Sequence, residues 1–113
     1  MKATDLMIGD KVMVKVLSQI PNTYVLHTWT ANDYSRDIQV KPIPLTPEIL
    51  EKNGWWYNVE DMWLHEEVGF FIEKFNGRFQ CYDINQIKLD SVHELQQTLR
   101  LCGLNELADN FKI

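Results

Sequence analysis

The sequence predicts an α+β fold, and three observations support it: segments with the two-residue period of β-strands, an Asn-Gly turn signal between aromatic segments, and helical segments with capping residues. We expect, in chain order, a small SH3-like antiparallel sheet, a short central helix, a second antiparallel sheet with an Asn-Gly hairpin, and a C-terminal amphipathic helix. They would form a single compact domain over residues 1–113, divisible into an SH3-like β part at 1–45 and a mixed part at 46–113.

Three segments predict the first sheet. The clearest is 11–17, in which valines alternate with polar or longer side chains. Segment 23–29 is rich in β-branched and aromatic residues and follows the turn signal Pro21-Asn22. Segment 37–43 alternates again, so three short strands with tight connections are expected.

The central helix is predicted by its capping residues. Thr46 suits the N-cap, Pro47 suits the first helical position, and Gly54 suits the C-terminal stop. We therefore expect a helix of about two turns between Thr46 and Gly54.

The second sheet should begin directly after Gly54. Strands are predicted at 55–59 and 62–65, followed by a hairpin of 70–75 and 78–82. Asn76-Gly77 separates the two hairpin strands, and this pair favours the type I′ turn that matches strand twist.

The final helix is predicted to start at Ser91, which forms a capping box with Glu94. Gly103 is placed to end it, and a short further helical turn should follow. The apolar stripe of the helix would contain Val92, Leu95, Leu99 and Cys102, widened by Leu101, and the later turn would add Leu104, Leu107 and Phe111.

Composition favours a globular, intracellular protein. Hydrophobic residues make up 45% of the chain, and a formal charge of −5 is ordinary for a folded domain. No apolar run approaches the roughly 18 residues of a membrane span, and the charged segment 1–10 is unlike a signal peptide, so we expect a cytoplasmic location without membrane binding. Cys81 and Cys102 should be free, partly buried thiols, and a single disulfide between them is the alternative.

Charge is distributed unevenly along the chain. Residues 1–45 carry five basic and four acidic residues, whereas residues 46–113 carry six basic and twelve acidic ones. Nucleic-acid affinity depends largely on Lys and Arg at phosphates, so this balance disfavours nucleic acid as a partner. The acidic excess of the second part is modest for a protein that mimics DNA.

Sequence motifs for catalysis, metals or cofactors are missing. His65-Glu66-Glu67-Val68-Gly69 resembles the start of a zinc-protease helix, but Gly69 stands where the second His is needed, so a solvated acidic turn is the better interpretation. The three histidines and two cysteines lack the close spacing of zinc sites, and the glycines are scattered at turns instead of forming a phosphate loop. We therefore expect no catalytic residues, no metal and no cofactor.

Aromatic residues are the most distinctive feature of the sequence. Trp and Tyr often anchor binding surfaces, and consecutive residues of a strand point to opposite faces, so Trp55, Trp56 and Tyr57 cannot all be buried on one side. The alternative is that most of these rings fill a small core. The predicted interaction surface consists of Trp29, Trp55, Trp56, Tyr57, Trp63 and His93.

Three segments carry a family resemblance. They are an opening at 1–9 that contains Leu6-x-Ile8-Gly9, a central segment at 41–54 with Pro-Ile-Pro-Leu-Thr, and the closing segment Val92-His93-Glu94-Leu95-Gln96. In this order they resemble a family of short proteins encoded in Bacteroidetes chromosomes, prophages, phages and other mobile elements. The resemblance spans the chain and implies kinship, without any activity or catalytic residue to carry over. Its closing motif includes a His, which makes His93 the histidine to test first.

The leading hypothesis is a non-enzymatic interaction or accessory protein of phage or mobile-element origin that binds another protein or itself. One alternative is a nucleic-acid-associated module or an acidic DNA mimic. A small enzyme with no recognisable motif is a further alternative.

Overall fold

The computed structural model describes residues 1–17, 23–35, 37–58, 60–82 and 87–113. Within these ranges the protein is α+β, with two antiparallel sheets and three α-helices. None of the described helices combines the length and the apolar character needed to cross a membrane.

The first sheet has three strands in the order β2-β1-β3, with β1 at Lys11–Val16, β2 at Val25–Thr28 and β3 at Ile38–Lys41. Alternation in β1 buries Val12 and Val14, and they join Leu6 and Trp29 in a small core. In the described ranges this sheet does not close into a barrel. The predicted turn at Pro21-Asn22 lies outside the described residues.

The central helix α1 spans Pro47–Lys52, where its caps predict it. The hydroxyl of Thr46 accepts a hydrogen bond from the backbone N–H of Ile49 (3.2 Å), so the N-cap is confirmed. Leu50 is the buried residue of this helix, and it packs into the larger core.

The second sheet is a four-stranded meander. Its strands are β4 at Trp56–Asn58, β5 at Met62–Leu64, β6 at Ile72–Phe75 and β7 at Arg78–Cys81. Val59, the predicted last residue of the first of these strands, lies outside the described residues.

The turn before β7 and the turn before β5 differ in how clearly the sequence indicates them. Asn76 and Gly77 have φ values of 51° and 77°, which confirms the predicted turn with two left-handed residues. The turn before β5 also has left-handed residues, Glu60 at φ 67° and Asp61 at φ 60°. The sequence signal there is weak, because Asp adopts this conformation more readily than most residues but Glu rarely does.

Helix α2 spans Val92–Leu101 and α3 spans Asn105–Asp109, so the capping box and the further helical turn are both confirmed. The predicted apolar stripe needs a correction. Leu101 is 83% exposed and Cys102 is also exposed, whereas Gln96 and Thr98 are buried in their place. Neither of the two cysteines forms a disulfide, and only Cys81 is buried.

The buried amide of Gln96 explains that correction, because this side of α2 faces backbone instead of apolar side chains. Gln96 accepts the backbone N–H of Lys11 at Oε1 (2.8 Å) and donates from Nε2 to the carbonyls of Gly9 (3.0 Å) and Ala108 (2.8 Å). A buried amide with these partners is satisfied, so a polar residue is stable there.

A buried ion pair reinforces the same junction. Arg100 donates from Nη1 to the fully buried carboxylate of Asp10 (2.5 Å). Gln97 donates to that carboxylate as well (2.7 Å), and so does the backbone N–H of Met7 (2.9 Å). Residues 5–11 are therefore attached to the last helices by polar contacts, while apolar residues of the second sheet and the helices form the larger core.

Candidate functional site

Four of the six residues proposed from sequence as an interaction surface are buried. Trp55 and Trp63 belong to the larger core, and Trp29 belongs to the small core of the first sheet. His93 is buried in the first turn of α2. These four side chains are therefore not presented to a partner in this structure.

Trp56 and Tyr57 are the exposed members of the set, at 46% and 55%. As neighbours in β4 they point to opposite faces of the sheet. Tyr57 pairs with Trp63 on the core side, with ring centres 5.5 Å apart. Trp56 pairs with Leu64 on the outer side.

Trp56 is the first member of an apolar row that crosses the outer face of the second sheet. Leu64 lies beside it in β5, and the β5–β6 register, which pairs Trp63 with Ile72, places Phe71 opposite Leu64. Tyr82 follows, since its backbone N–H donates to the carbonyl of Phe71 (2.9 Å). We call these four residues, Trp56, Leu64, Phe71 and Tyr82, the aromatic row.

The core itself fixes the orientation of the aromatic row. Trp63, Ile72 and Cys81 are buried on the inner face, and each lies next in sequence to a row residue. Because successive side chains of a strand alternate, burial of these three directs Leu64, Phe71 and Tyr82 outward. Phe71 is 38% exposed and Tyr82 is 54% exposed, so the row is open to solvent along most of its length.

Comparisons with protein-family models, with curated proteins and with solved structures found no match. The aromatic row therefore has to be interpreted from its own chemistry.

Sequence reasoning identified Trp56 but missed Leu64, Phe71 and Tyr82. Each stands beside a core residue in a short strand, and nothing in the local sequence distinguishes the inner residue of the pair from the outer one. The row depends on the pairing of Trp63 with Ile72 across an irregular connection, and that register cannot be read from composition.

A second cluster surrounds His93. Ser91 donates its hydroxyl proton to Glu94 Oε1 (2.7 Å), so the neutral His93 ring donates from Nδ1 to Ser91 Oγ (3.0 Å). Burial lowers the pKa of His93 below its usual 6.5, against the opposing effect of Asp10, Glu94 and Asp5. The Ser91 hydroxyl forms part of the N-terminal cap of α2, so this arrangement favours a structural role for Ser91 over nucleophilic attack.

The segments that carry the family resemblance meet around this cluster. Val92 donates its backbone N–H to the carbonyl of Ile43 (2.8 Å), and Leu45 donates to the carbonyl of Asp90 (2.9 Å). A cavity of about 340 Å³ beside His93 is lined by Met1 and Asp5 from the opening segment, by Pro42 and Pro44 from the central one, and by residues 90, 91, 93 and 94. The three motifs thus have a shared structural location.

The remaining sequence candidates for chemistry form no metal site in the described ranges. His27 contacts the buried carboxylate of Asp33 through Nε2 (2.7 Å), and Thr30 donates to the same oxygen from its backbone N–H (2.7 Å). Among the described residues, no group of three or more His, Cys, Asp or Glu side chains could hold a metal ion. Glu66 and Glu67 lie exposed in a turn after His65.

Proposed function

We propose that this protein is a non-enzymatic interaction protein that binds another protein through the aromatic row. The observation that carries the proposal is the exposure of Trp56, Phe71 and Tyr82 in a continuous line across four strands. Trp and Tyr dominate binding energy at protein interfaces, and contiguous exposed apolar surface on a folded protein commonly marks a binding site.

Polar residues border the aromatic row on the same face. Glu73 accepts a hydrogen bond from the side chain of Gln80 in the neighbouring row, and Arg78 lies at the end of β7 opposite Phe75. An apolar centre with a polar border is the usual composition of a protein interface. The expected partner presents apolar side chains at its centre and polar groups around them.

The decisive experiment compares two adjacent substitutions, Trp56→Ala and Tyr57→Ala. Both side chains are about half exposed, but they lie on opposite faces of β4, so Tyr57→Ala is a matched control. In affinity capture from host lysate, read by mass spectrometry with and without nuclease, we expect a partner that is lost with Trp56→Ala, retained with Tyr57→Ala and insensitive to nuclease. Equal loss with both variants, or no enrichment, would contradict the proposal.

A second candidate function, binding of nucleic acid, is favoured by the face of the first sheet that lies opposite its small core. The strand registers place Lys11, Lys15 and Lys41 on one face together with Tyr24. The ammonium groups of Lys15 and Lys41 lie 5.2 Å and 4.3 Å from the centre of the Tyr24 ring. An aromatic ring among lysines is a common feature of single-stranded nucleic-acid binding surfaces.

The net charge of residues 1–45, taken from the sequence, understates the positive charge of this face. Of the four acidic residues in the first part, Asp10 is buried against Arg100 and Asp33 is buried against His27. They do not neutralise the surface lysines. An SH3-like character of this sheet and a mobile-element origin of the protein would suit either candidate function, and both stay predictions.

Salt-dependent fluorescence anisotropy with labelled single-stranded DNA and RNA tests this second candidate. Replacing Lys15 and Lys41 by Gln together should weaken binding and lower the magnitude of the slope of log affinity against log salt by about 1.4. The control replaces Lys52 and Lys88, which lie off this face, and should leave the slope nearer its original value. A wild-type protein that shows no salt-sensitive binding would remove this candidate.

A further inference from the structure

A pocket of about 400 Å³ lies among the end of α1, the segment after β5, and helix α3 with the residues that follow it. It has no residue in common with the aromatic row, so it is a separate feature of the surface. Its volume is within the range of about 300–1,000 Å³ that is typical of small-molecule sites.

The floor of the pocket is apolar. Trp55, Leu99 and Phe111 are buried core residues that line it, and the half-buried Val68 and Leu107 complete its walls. A bound molecule would therefore place an apolar group against this floor, where burial of apolar surface is favourable.

One wall is held in place by Asn53. Its Nδ2 donates to the carbonyls of Ile49 and Lys112 (both 2.8 Å), and its Oδ1 accepts the backbone N–H of Lys112 (2.7 Å). These three bonds attach the residues after α3 to the end of α1. The pocket is thus formed in advance, which lowers the cost of ordering it around a ligand.

His65 provides an oriented polar group in the pocket. Its Nδ1 accepts the backbone N–H of Glu67 (3.1 Å), so the neutral ring carries its proton on Nε2 and can donate from there. The ring lies against Gly54, where a Cβ would be only 2.9 Å from Nε2, and its centre is 5.3 Å from that of the Trp55 ring. The absence of a side chain at position 54 therefore allows this position of the imidazole.

Charged residues of both signs line the mouth. Lys52 and Lys112 are exposed there, as are Glu67 and Glu106. In the part of the chain that the structure describes, none of these four side chains forms an ion pair. Positive and negative groups are therefore both available above an apolar floor.

We propose that this pocket binds a small zwitterion with an apolar side chain, of the chemical class of the apolar α-amino acids. The ammonium group of the ligand would face Glu67 and Glu106, and its carboxylate would face Lys52, Lys112 and the Nε2–H of His65. The apolar side chain would contact the floor. A ligand with only one charge would leave half of the mouth without a partner.

The test uses the ¹⁵N-labelled full chain and three probes of similar size: L-phenylalanine, 3-phenylpropanoate and 2-phenylethylamine. We expect saturable amide shifts at the pocket residues, with L-phenylalanine binding about threefold more tightly than either single-charge probe. Equal affinity of the three probes, or shifts that do not map to the pocket, would overturn the proposal.

Charge variants locate each contact without touching the core. Glu67→Gln should weaken L-phenylalanine and 2-phenylethylamine but leave 3-phenylpropanoate unchanged, and Lys52→Gln should affect the two carboxylate probes instead. Glu48→Gln, an exposed acid of α1 outside the pocket, is the matched control. If Glu67→Gln and Lys52→Gln behave like Glu48→Gln, the assignment of the charges is wrong. Trp56→Ala should leave all three affinities unchanged, which separates this proposal from protein binding by the aromatic row.

Discussion

At the scale of single residues, the backbone conformation and the neighbours of Gly9 favour glycine over every other residue type. Its φ is +95°, and a Cβ there would lie 2.8 Å from Nη2 of Arg100 and 3.1 Å from Oδ1 of Asp109. A side chain would therefore both strain the backbone and displace the guanidinium that neutralises Asp10.

Gly9→Ala should lower the free energy of unfolding by about 2 kcal/mol, because strain and disturbance of the ion pair add. Urea denaturation followed by circular dichroism measures the change. Gly69→Ala is the control, since a Cβ at Gly69 would have no atom within 4 Å and its φ is not left-handed. Equal effects of the two substitutions would show that Arg100 does not restrict position 9.

The lowered pKa of Asp33 predicts how the stability of the protein depends on pH. Burial would by itself raise the pKa of this carboxyl, but hydrogen bonds from His27 and Thr30 outweigh burial and lower the pKa from 3.8 to about 2. The folded state therefore favours the carboxylate. This contribution is present above the unfolded pKa of 3.8 and is lost as the pH falls through about 2.

Asp33→Asn should cost about 2 kcal/mol of unfolding free energy at pH 7 and should flatten its dependence on pH between about 4 and 2. Urea titrations at a series of pH values measure both effects. Asp37→Asn, at an exposed position of the same part of the chain, should retain the wild-type pH profile. Identical profiles for wild type and Asp33→Asn would contradict the assignment.

At the scale of elements, the two turns of the second sheet differ in how well their residues suit them. Asn76-Gly77 suits its left-handed conformation, whereas Glu60 adopts φ 67° with a full side chain. Glu60→Gly should raise the free energy of unfolding by about 0.5 kcal/mol, because relief of left-handed strain exceeds the entropy that Gly loses on folding. Thermal denaturation measures it, and Glu66→Gly, in a turn without left-handed φ, should be neutral or destabilising.

The elements themselves were largely predictable from local chemistry. Capping residues located α1 and α2, and valine alternation located β1, because these signals act within a few residues. The buried side of α2 was not predictable, since Gln96 is buried by its bonds to Gly9, Lys11 and Ala108, and only the last of these is near in sequence.

At the scale of the whole molecule, Gln96 connects the first sheet to the helices of the second part. The prediction of a single domain over 1–113 implies that both sheets unfold in one transition. Gln96→Leu removes its three hydrogen bonds and should let the first sheet unfold at lower urea than the second. Fluorine NMR of 5-fluorotryptophan-labelled protein reads Trp29 and Trp63 separately, and coincident midpoints in Gln96→Leu would contradict this coupling.

The candidate site was harder to predict from the sequence than the fold was. Trp56 could be named from composition, but its partners in the aromatic row follow from strand register, and the pocket at His65 follows from the meeting of α1 with the residues after α3. The lysines of the first sheet are evident from the sequence. Because Asp10 and Asp33 are buried, however, the surface of this sheet is more positive than the net charge of residues 1–45 indicates. Sites assembled from distant segments require the packing that a linear pattern does not contain.

The bond between Gln96 and Gly9 spans 87 positions of the chain. A ribosome therefore releases every residue of the first sheet long before it makes the helix that holds that sheet in place. Until then the carboxylate of Asp10, which will be fully buried, lacks the positive charge of Arg100 and the hydrogen bond from Gln97. A premature stop codon after residue 91 would thus damage the first sheet as well, even though all of its strands had already been translated.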